Sequence, residues 1–286
     1  LKTHWGYDSF LPLQEAAMQC VLDGRDSVVV LPTGGGKSLC FQGPAMVRSG
    51  LALVVSPLIS LMKDQVDGLN AVGVPAACLN SGMLPGERQE VTDAARTGRL
   101  KLLYLAPERL VQPGMIELLR SVELSLVAID EAHCISEWGH DFRPEYRQLG
   151  LLRDAFPGTA IHAYTATATA QVRDDIVEDL ALDDPEILVG SFDRLNLVYK
   201  VSVRERGLAQ ILEILERHPG ESGIIYCLSR ADVEKTAESL TAEGHRALPY
   251  HAGLDDEMRR ANQDAFIQDR VETIVATIAF GMGIDK

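Results

Sequence analysis

The sequence predicts an α/β protein of two lobes, each a mostly parallel sheet with helices on both faces, the second incomplete. Three observations carry that prediction. Short β-branched runs alternate with longer amphipathic stretches from end to end, the pattern of strand–helix–strand crossovers that builds parallel sheets. The alternation lapses in an acidic and then polar stretch over 181–196 and starts again after it. The length of 286 residues also suits two domains at roughly 150 residues each.

In the first lobe, 28–31, 51–55, 100–105, 126–129 and 160–164 read as strands, because each is a near-continuous apolar run of the kind buried on both faces. Between them, 37–47, 60–69, 86–96 and 108–119 carry helical spacing. In the second lobe, strands are expected at 197–203, 223–228, 246–250 and 272–276, and helices at 208–217, 231–243 and 255–269. A linker near 193–196 gives lobes over 1–193 and 194–286. The second lobe stops at Lys286 directly after a strand and turn, and the chain opens on Leu1 rather than Met. It reads as a piece cut from a longer protein.

Hydrophobic residues at 46% and charged residues at 24% exclude a disordered tail, a collagen-like fibre and a disulfide scaffold. The longest apolar runs fall far short of the roughly 18 residues needed to cross a bilayer, and no secretory signal opens the chain. Neither membrane insertion nor export is expected. The 27 basic and 41 acidic residues leave a net charge of −14, so the overall field repels a polyanion. Any nucleic-acid site must be a local surface. Cys20, Cys40, Cys78, Cys134 and Cys227 are scattered without a CxxC pair and read as buried thiols in a reducing compartment.

The first chemical signal is Leu31-Pro32-Thr33-Gly34-Gly35-Gly36-Lys37-Ser38, placed after a strand and opening a helix. Its glycines let the backbone curl until N–H groups converge on phosphate oxygens, with the positive end of the helix behind them. In such a loop Lys37 reaches the β- and γ-phosphates and the Ser38 hydroxyl ligates Mg²⁺. Leu31 stands where the strict expression has its first glycine, and the glycines at 34–36 carry the turn instead.

The second signal is Ile129-Asp130-Glu131-Ala132-His133, where an apolar strand ends in adjacent carboxylates. The carboxyl edge of an open α/β sheet is where ligands bind. Asp130 would hold the metal, and Glu131 would orient or deprotonate the attacking water. Alone, such a pair is usually a solvated loop or a helix start. With a phosphate loop upstream it specifies a nucleoside-triphosphate hydrolase.

A third segment, 135–146, concentrates three aromatics in twelve residues of a chain only 6% aromatic. Gly139 and Pro144 exclude a continuous helix. Trp138, Phe142 and Tyr146, interleaved with Arg143, would suit base stacking and phosphate contact, or they form a small satellite core. The small hydroxyl residues of 165–169 either link to the site or cap the next helix. Ser60 and Lys63 either meet phosphate or serve as an ordinary cap and surface lysine. His251 reads as a structural histidine.

Taken in order, these segments resemble the RecQ family of superfamily 2 DNA helicases over essentially the whole chain. Residues 5–14 look like that family's adenine-reading motif 0, with Gln14 as the amide that grips the base. Residues 31–38 are similar to motif I, 54–66 to motif Ia, 105–110 to motif Ib, and Asp130–His133 to the DEAH form of motif II. Residues 138–146 resemble the aromatic-rich loop that senses single-stranded DNA. Residues 165–169, 224–230 and 277–286 resemble motifs III, IV and V.

The resemblance implies two RecA-like lobes that use ATP and Mg²⁺, with no zinc in this stretch. It implies 3′-to-5′ translocation on single-stranded DNA and unwinding of partly duplex DNA in repair and recombination, in a bacterial cytoplasm or a eukaryotic nucleus. By the same resemblance Glu131, Lys37, Asp130 and His133 are catalytic, and Ser38 and Asp130 hold the metal. Gln14, Thr33, Gly34, Gly35, Gly36, Lys37, Ser38, Gly283 and Asp285 hold the nucleotide. Ser60, Lys63, Trp138, Phe142, Arg143, Ser229, Arg230 and Thr277 contact DNA, while Thr165 and Thr167 couple the two activities.

Three departures stand out. Leu11 replaces the family's usual Arg in motif 0, Leu228 replaces a polar residue in motif IV, and the sequence ends before motif VI. An arginine finger of the motif VI kind is worth roughly 10³–10⁵ in turnover, so the stretch is expected to bind nucleotide and hydrolyse it feebly. Two other readings stay open: an RNA helicase of the DEAH or DEAD type, which would lack the loop at 138–142, and a nucleotide-gated binding module.

Overall fold

The chain divides into two units, Leu1–Asn196 and Leu197–Lys286. The computed structural model describes residues 2–80, 82–139, 141–191, 193, 197–277 and 280, with only the backbone of Thr3, Ser60 and Asp256.

The first unit runs α1 (Lys2–Trp5), α2 (Gln14–Asp23), β1 (Ser27–Val30), α3 (Lys37–Val47), β2 (Leu51–Val55), α4 (Ile59–Ala71), β3 (Ala76–Leu79) and α5 (Pro85–Arg96). It continues through β4 (Leu102–Leu105), α6 (Pro107–Leu110), α7 (Met115–Arg120), β5 (Leu124–Ile129), two 3-10 helices (Ala132–Ile135 and Pro144–Gly150), α8 (Leu151–Ala155), β6 (Ile161–Thr165), α9 (Ala170–Asp179) and β7 (Glu186–Val189). The strands form one seven-stranded sheet in the order β3-β4-β2-β5-β6-β1-β7. Every neighbouring pair is parallel.

Most strand residues of this sheet are apolar because both faces of its central strands are covered. Val28 and Val30 enter one core cluster while Val29 and Leu31 enter the other. Along β2, Leu51, Leu53 and Val55 face the first cluster and Ala52 and Val54 the second. This is the two-residue period of a pleated strand, with hydrophobic partners on each side. The strand order has a chemical consequence. β2, β5, β6 and β1 are consecutive neighbours, so the loops leaving their carboxyl ends lie side by side.

The structure departs from the sequence expectations in definite places. The expected helix over 108–119 is two, α6 and α7, because Pro113-Gly114 interrupts it and Gly114 takes φ 82°. Strands β3 and β7 and helix α2 carry no strong pattern. Ala76–Leu79 is half alanine, and Glu186–Val189 is a half-exposed edge.

The second unit contains α10 (Gly207–Arg217), β8 (Gly223–Tyr226), α11 (Arg230–Ala242), β9 (Ala247–Tyr250), α12 (Asp256–Ile267) and β10 (Thr273–Ala276). Its strands form a parallel sheet in the order β8-β10-β9. The strand expected over 197–203 does not form: among the described residues these carry no ladder pairing, and Val198, Tyr199, Val201 and Val203 are exposed. Their β-branched composition supplies propensity, but a strand is the property of a pair. Among the described residues, no helix is long and apolar enough to cross a membrane.

Candidate active site

The turn between β1 and α3 has the glycine-built curl, opening directly into a helix, that the sequence reading expects there. Gly34 and Gly36 adopt φ 78° and 68°, and Lys37 opens α3. The Lys37 ammonium folds back and donates to the Leu31 carbonyl at 3.2 Å. Ser38 stands half-buried at the second position of α3, and Thr33 and Gly34 are exposed on the loop.

Gln14 is almost wholly buried. Its Oε1 accepts from the Leu11 N–H at 2.8 Å, and its Nε2 donates to the carbonyls of Gly35 and Gly36 at 3.3 and 3.2 Å. The amide expected against a base is thus turned onto the loop, where it holds the curl. A methyl group added at Gly36 would lie 2.2 Å from Gln14 Nε2, in a backbone region that alanine adopts poorly. Gly36→Ala is therefore expected to cost about 1–3 kcal/mol of stability through strain and to weaken nucleotide binding. Urea unfolding and a nucleotide titration on the same sample check both.

Asp130 follows the last residue of β5. Its backbone N–H donates to Val55 O at 2.8 Å, its Oδ1 accepts from the Glu131 N–H at 3.0 Å, and its Oδ2 accepts from Ser56 Oγ at 3.4 Å. Burial, and then the Glu131 carboxylate beside it, pushes the Asp130 carboxyl up to about 6, while the Glu131 N–H, Lys37 and Ser56 pull the other way. A buried carboxylate that is costly to ionise is one a cation would relieve. With the Ser38 hydroxyl at the start of α3, the donors are hard oxygens, as magnesium requires. Among the described residues, no group of three or more His, Cys, Asp or Glu gathers to hold a metal by itself. The set fits an ion that takes its remaining ligands from phosphate and water.

Glu131 leaves the strand in the left-handed region, φ 47°. One of its carboxylate oxygens is 3.3 Å from His133 Nδ1, which also lies 2.8 Å from Thr165 Oγ1. Thr165 donates to Thr167 O at 3.1 Å and accepts from the Thr167 N–H at 3.2 Å. A continuous polar chain therefore joins the end of β5 to the end of β6. Thr169 does the plainer job and caps α9.

Comparison with known proteins agrees with this arrangement. The DEAD/DEAH box helicase family model matches residues 11–176, and the helicase conserved C-terminal domain model matches 206–286. The chain is 50% identical to the ATP-dependent DNA helicase RecQ of Pasteurella multocida, over 99% of this chain and 45% of that protein. It is 43% identical to RecQ of Bacillus subtilis, over 100% of this chain and 49% of that one. The chain belongs to the RecQ family of DEAD/DEAH box helicases. It spans about half the length of these relatives. Solved structures share the fold at low identity. Mycobacterium smegmatis helicase Lhr bound to ssDNA and AMP-PNP gives a TM-score of 0.69 at 19% identity, over 98% of this chain and 41% of that one. The DUF1998 helicase MrfA bound to DNA gives 0.72 at 18%, over 96% and 40%.

In this RecQ-family chain the aromatic segment splits by burial. Trp138 is 77% exposed, Phe142 is half-buried with the Arg147 guanidinium 5.1 Å from its ring centroid, and Tyr146 is fully buried. Arg143 is held locally: it donates to Pro57 O at 3.1 Å and pairs with Asp141 at 3.1 Å. Gly139 permits the close turn, since a methyl there would meet His133 O at 2.2 Å. Lys63 is exposed on α4, and the side chain of Ser60 lies outside the described residues.

In the second unit Ser229 caps α11, Arg230 opens that helix and packs against Gly253, and Thr277 follows β10. His251 is buried, its Nδ1 accepting from the Gly253 N–H at 3.1 Å, which is a structural role. Gly283 and Asp285 lie outside the described residues. Tyr146 takes the core alternative of the sequence reading, but two contacts of Asp130 went unread in the sequence: the Ser56 hydroxyl, which donates to its carboxylate, and the Tyr146 hydroxyl, which donates to its carbonyl at 2.9 Å. The signal for Ser56 was its place directly after β2, but using it requires knowing that β2 neighbours β5.

Proposed function

We propose that this chain is the motor of an ATP-dependent DNA helicase, coupling ATP hydrolysis to 3′-to-5′ movement along single-stranded DNA and to duplex unwinding in repair and recombination. The observation that carries the reading is the meeting, on one sheet edge, of a Lys37-headed glycine loop and the buried Asp130 with its partly exposed neighbour Glu131, with an exposed tryptophan a few residues further on. The relatives' names, and the DNA held by two structural neighbours, support DNA as the track.

In this reading the N–H groups of residues 34–38 and the Lys37 ammonium bind the phosphates. Ser38 and Asp130 would hold Mg²⁺, which supplies neutralisation of charge on the phosphates. Glu131 orients the water and takes its proton as the oxygen attacks the terminal phosphorus and the bond to the ADP oxygen breaks. His133 and Thr165 hold Glu131 and carry its state to β6. Trp138, with Phe142 beside it, offers a face on which a base can stack. The first unit then serves as the ATP-binding lobe and the second as its partner, with DNA contacts at Lys63, Ser229, Arg230 and Thr277. Such a motor works where chromosomal DNA is handled.

The test is ATP turnover with matched single-stranded DNA and RNA. Stimulation by DNA is expected, and stimulation by RNA alone would refute the reading. Trp138→Ala is expected to abolish most of the DNA stimulation while leaving nucleotide affinity within about threefold, since a stacked base contributes about 1–3 kcal/mol. Equal loss of both would show that Trp138 only supports the fold.

A further inference from the structure

Leaving β5, the chain turns through a single peptide unit, the one that joins Asp130 to Glu131. Both ends of that unit are held. Its N–H donates to Asp130 Oδ1 at 3.0 Å, and its C=O accepts from the Tyr146 hydroxyl at 2.9 Å. The next residue, Glu131, sits at φ 47°, a left-handed conformation that a side-chain-bearing residue keeps only when its surroundings enforce it. The plane of this peptide decides two things together: which way the Asp130 carboxylate is drawn, and where the Glu131 side chain begins.

The phenol is a rigid support. Tyr146 is fully buried and shares a core cluster with Ile129, Ala132, Cys134, Ile135 and Leu149, so its hydroxyl is fixed by packing rather than by rotamer choice. It sits in the 3-10 helix Pro144–Gly150, just after Arg143, whose guanidinium grips Pro57 O beside Ser56. The peptide is thereby tied to the segment that carries Trp138.

We propose that Tyr146 is a positioning residue for both site carboxylates, its hydroxyl locking the Asp130–Glu131 peptide in the orientation that metal binding and water activation need. The inference rests on the ATPase reading above and adds a residue to it. Without the hydroxyl the carbonyl loses its partner, the peptide can tilt, and Asp130 and Glu131 lose their alignment together.

The experiment is metal binding, not turnover. Mn²⁺ uptake is followed by EPR in the presence of ADP, and ADP binding is followed separately in EDTA. Tyr146→Phe keeps the ring and is expected to raise the Mn²⁺ concentration for half-saturation about fivefold, the effect of one lost buried hydrogen bond, with ADP binding in EDTA unchanged. Leu149→Ala loosens the same core without touching the peptide. It is expected to lower the thermal midpoint more than Tyr146→Phe does, and to leave Mn²⁺ uptake as it was. Unchanged Mn²⁺ uptake in Tyr146→Phe, or an equal loss in Leu149→Ala, overturns the proposal and leaves the ATPase reading standing. If the unmodified chain takes up neither ADP nor Mn²⁺, both fail.

Discussion

Lys37→Ala is expected to lower ATP turnover by about 10²–10³-fold, the usual cost of removing a pre-aimed donor from a developing charge, while the fold survives. Among the described residues, the ammonium's hydrogen bond is to Leu31 O at the start of its own loop, so the unliganded chain loses one such bond at a half-buried position. The bound phosphates lose more, because a charge-assisted bond contributes about 1.5–3 kcal/mol. A second loss adds to this one. Lys37 is among the groups that ease ionisation of Asp130, so its removal pushes that carboxyl further up and weakens the metal site near neutral pH. Nucleotide titration, steady-state turnover and a thermal melt together check the prediction. An unchanged melt with collapsed binding is expected, and retained turnover would sink it.

How far the sequence discloses this site depends on whether a residue acts through its neighbours in the chain or through its neighbours in the sheet. The phosphate loop and the Asp130–Glu131 pair are legible because each is a local solution: glycines for a left-handed turn, and carboxylates at the end of an apolar strand. The alternation of such strands with helices reveals the parallel sheet for the same reason. Residues that matter through strand order are not legible. Ser56 reaches Asp130 only because β2 lies beside β5, and Thr165 reaches His133 only because β6 lies on the other side. Tyr146 belongs to an aromatic cluster that looks uniform in sequence, yet burial divides it into an exposed Trp138 and a buried strut. Local composition also misleads at 197–203, where strand-forming residues lie without a ladder partner, and at Glu186–Val189, where an acidic start hides the seventh strand.

Asp130→Asn is expected to abolish metal-dependent activity and, at pH 7, to make the first unit more stable. Burial raises this carboxyl from its ordinary 3.8 to about 6, so the folded chain holds the proton more tightly than the unfolded chain does. Between those two values the folded state binds more protons, and stability must fall as pH rises. Below about pH 4 the penalty is absent, and above the folded value it is fully present. At 1.36 kcal/mol per unit it amounts to about 2–3 kcal/mol. Asparagine carries no such penalty and can keep the geometry: its Oδ1 accepts from the Glu131 N–H, and its amide nitrogen donates to Ser56 Oγ. Both tryptophans of the chain, Trp5 and Trp138, fall in the first unit, so urea unfolding followed by their fluorescence reports on that unit. The stability curves of the two proteins should meet near pH 4 and separate by pH 7, with the variant above; parallel curves would show that Asp130 ionises without cost. In the unmodified chain the same proton competes with the cation, so Mn²⁺ affinity should weaken as pH falls through about 6. Held out of water, the carboxylate is a poor contributor to the fold, and in the proposed metal site a bound cation would remove the penalty of ionising it.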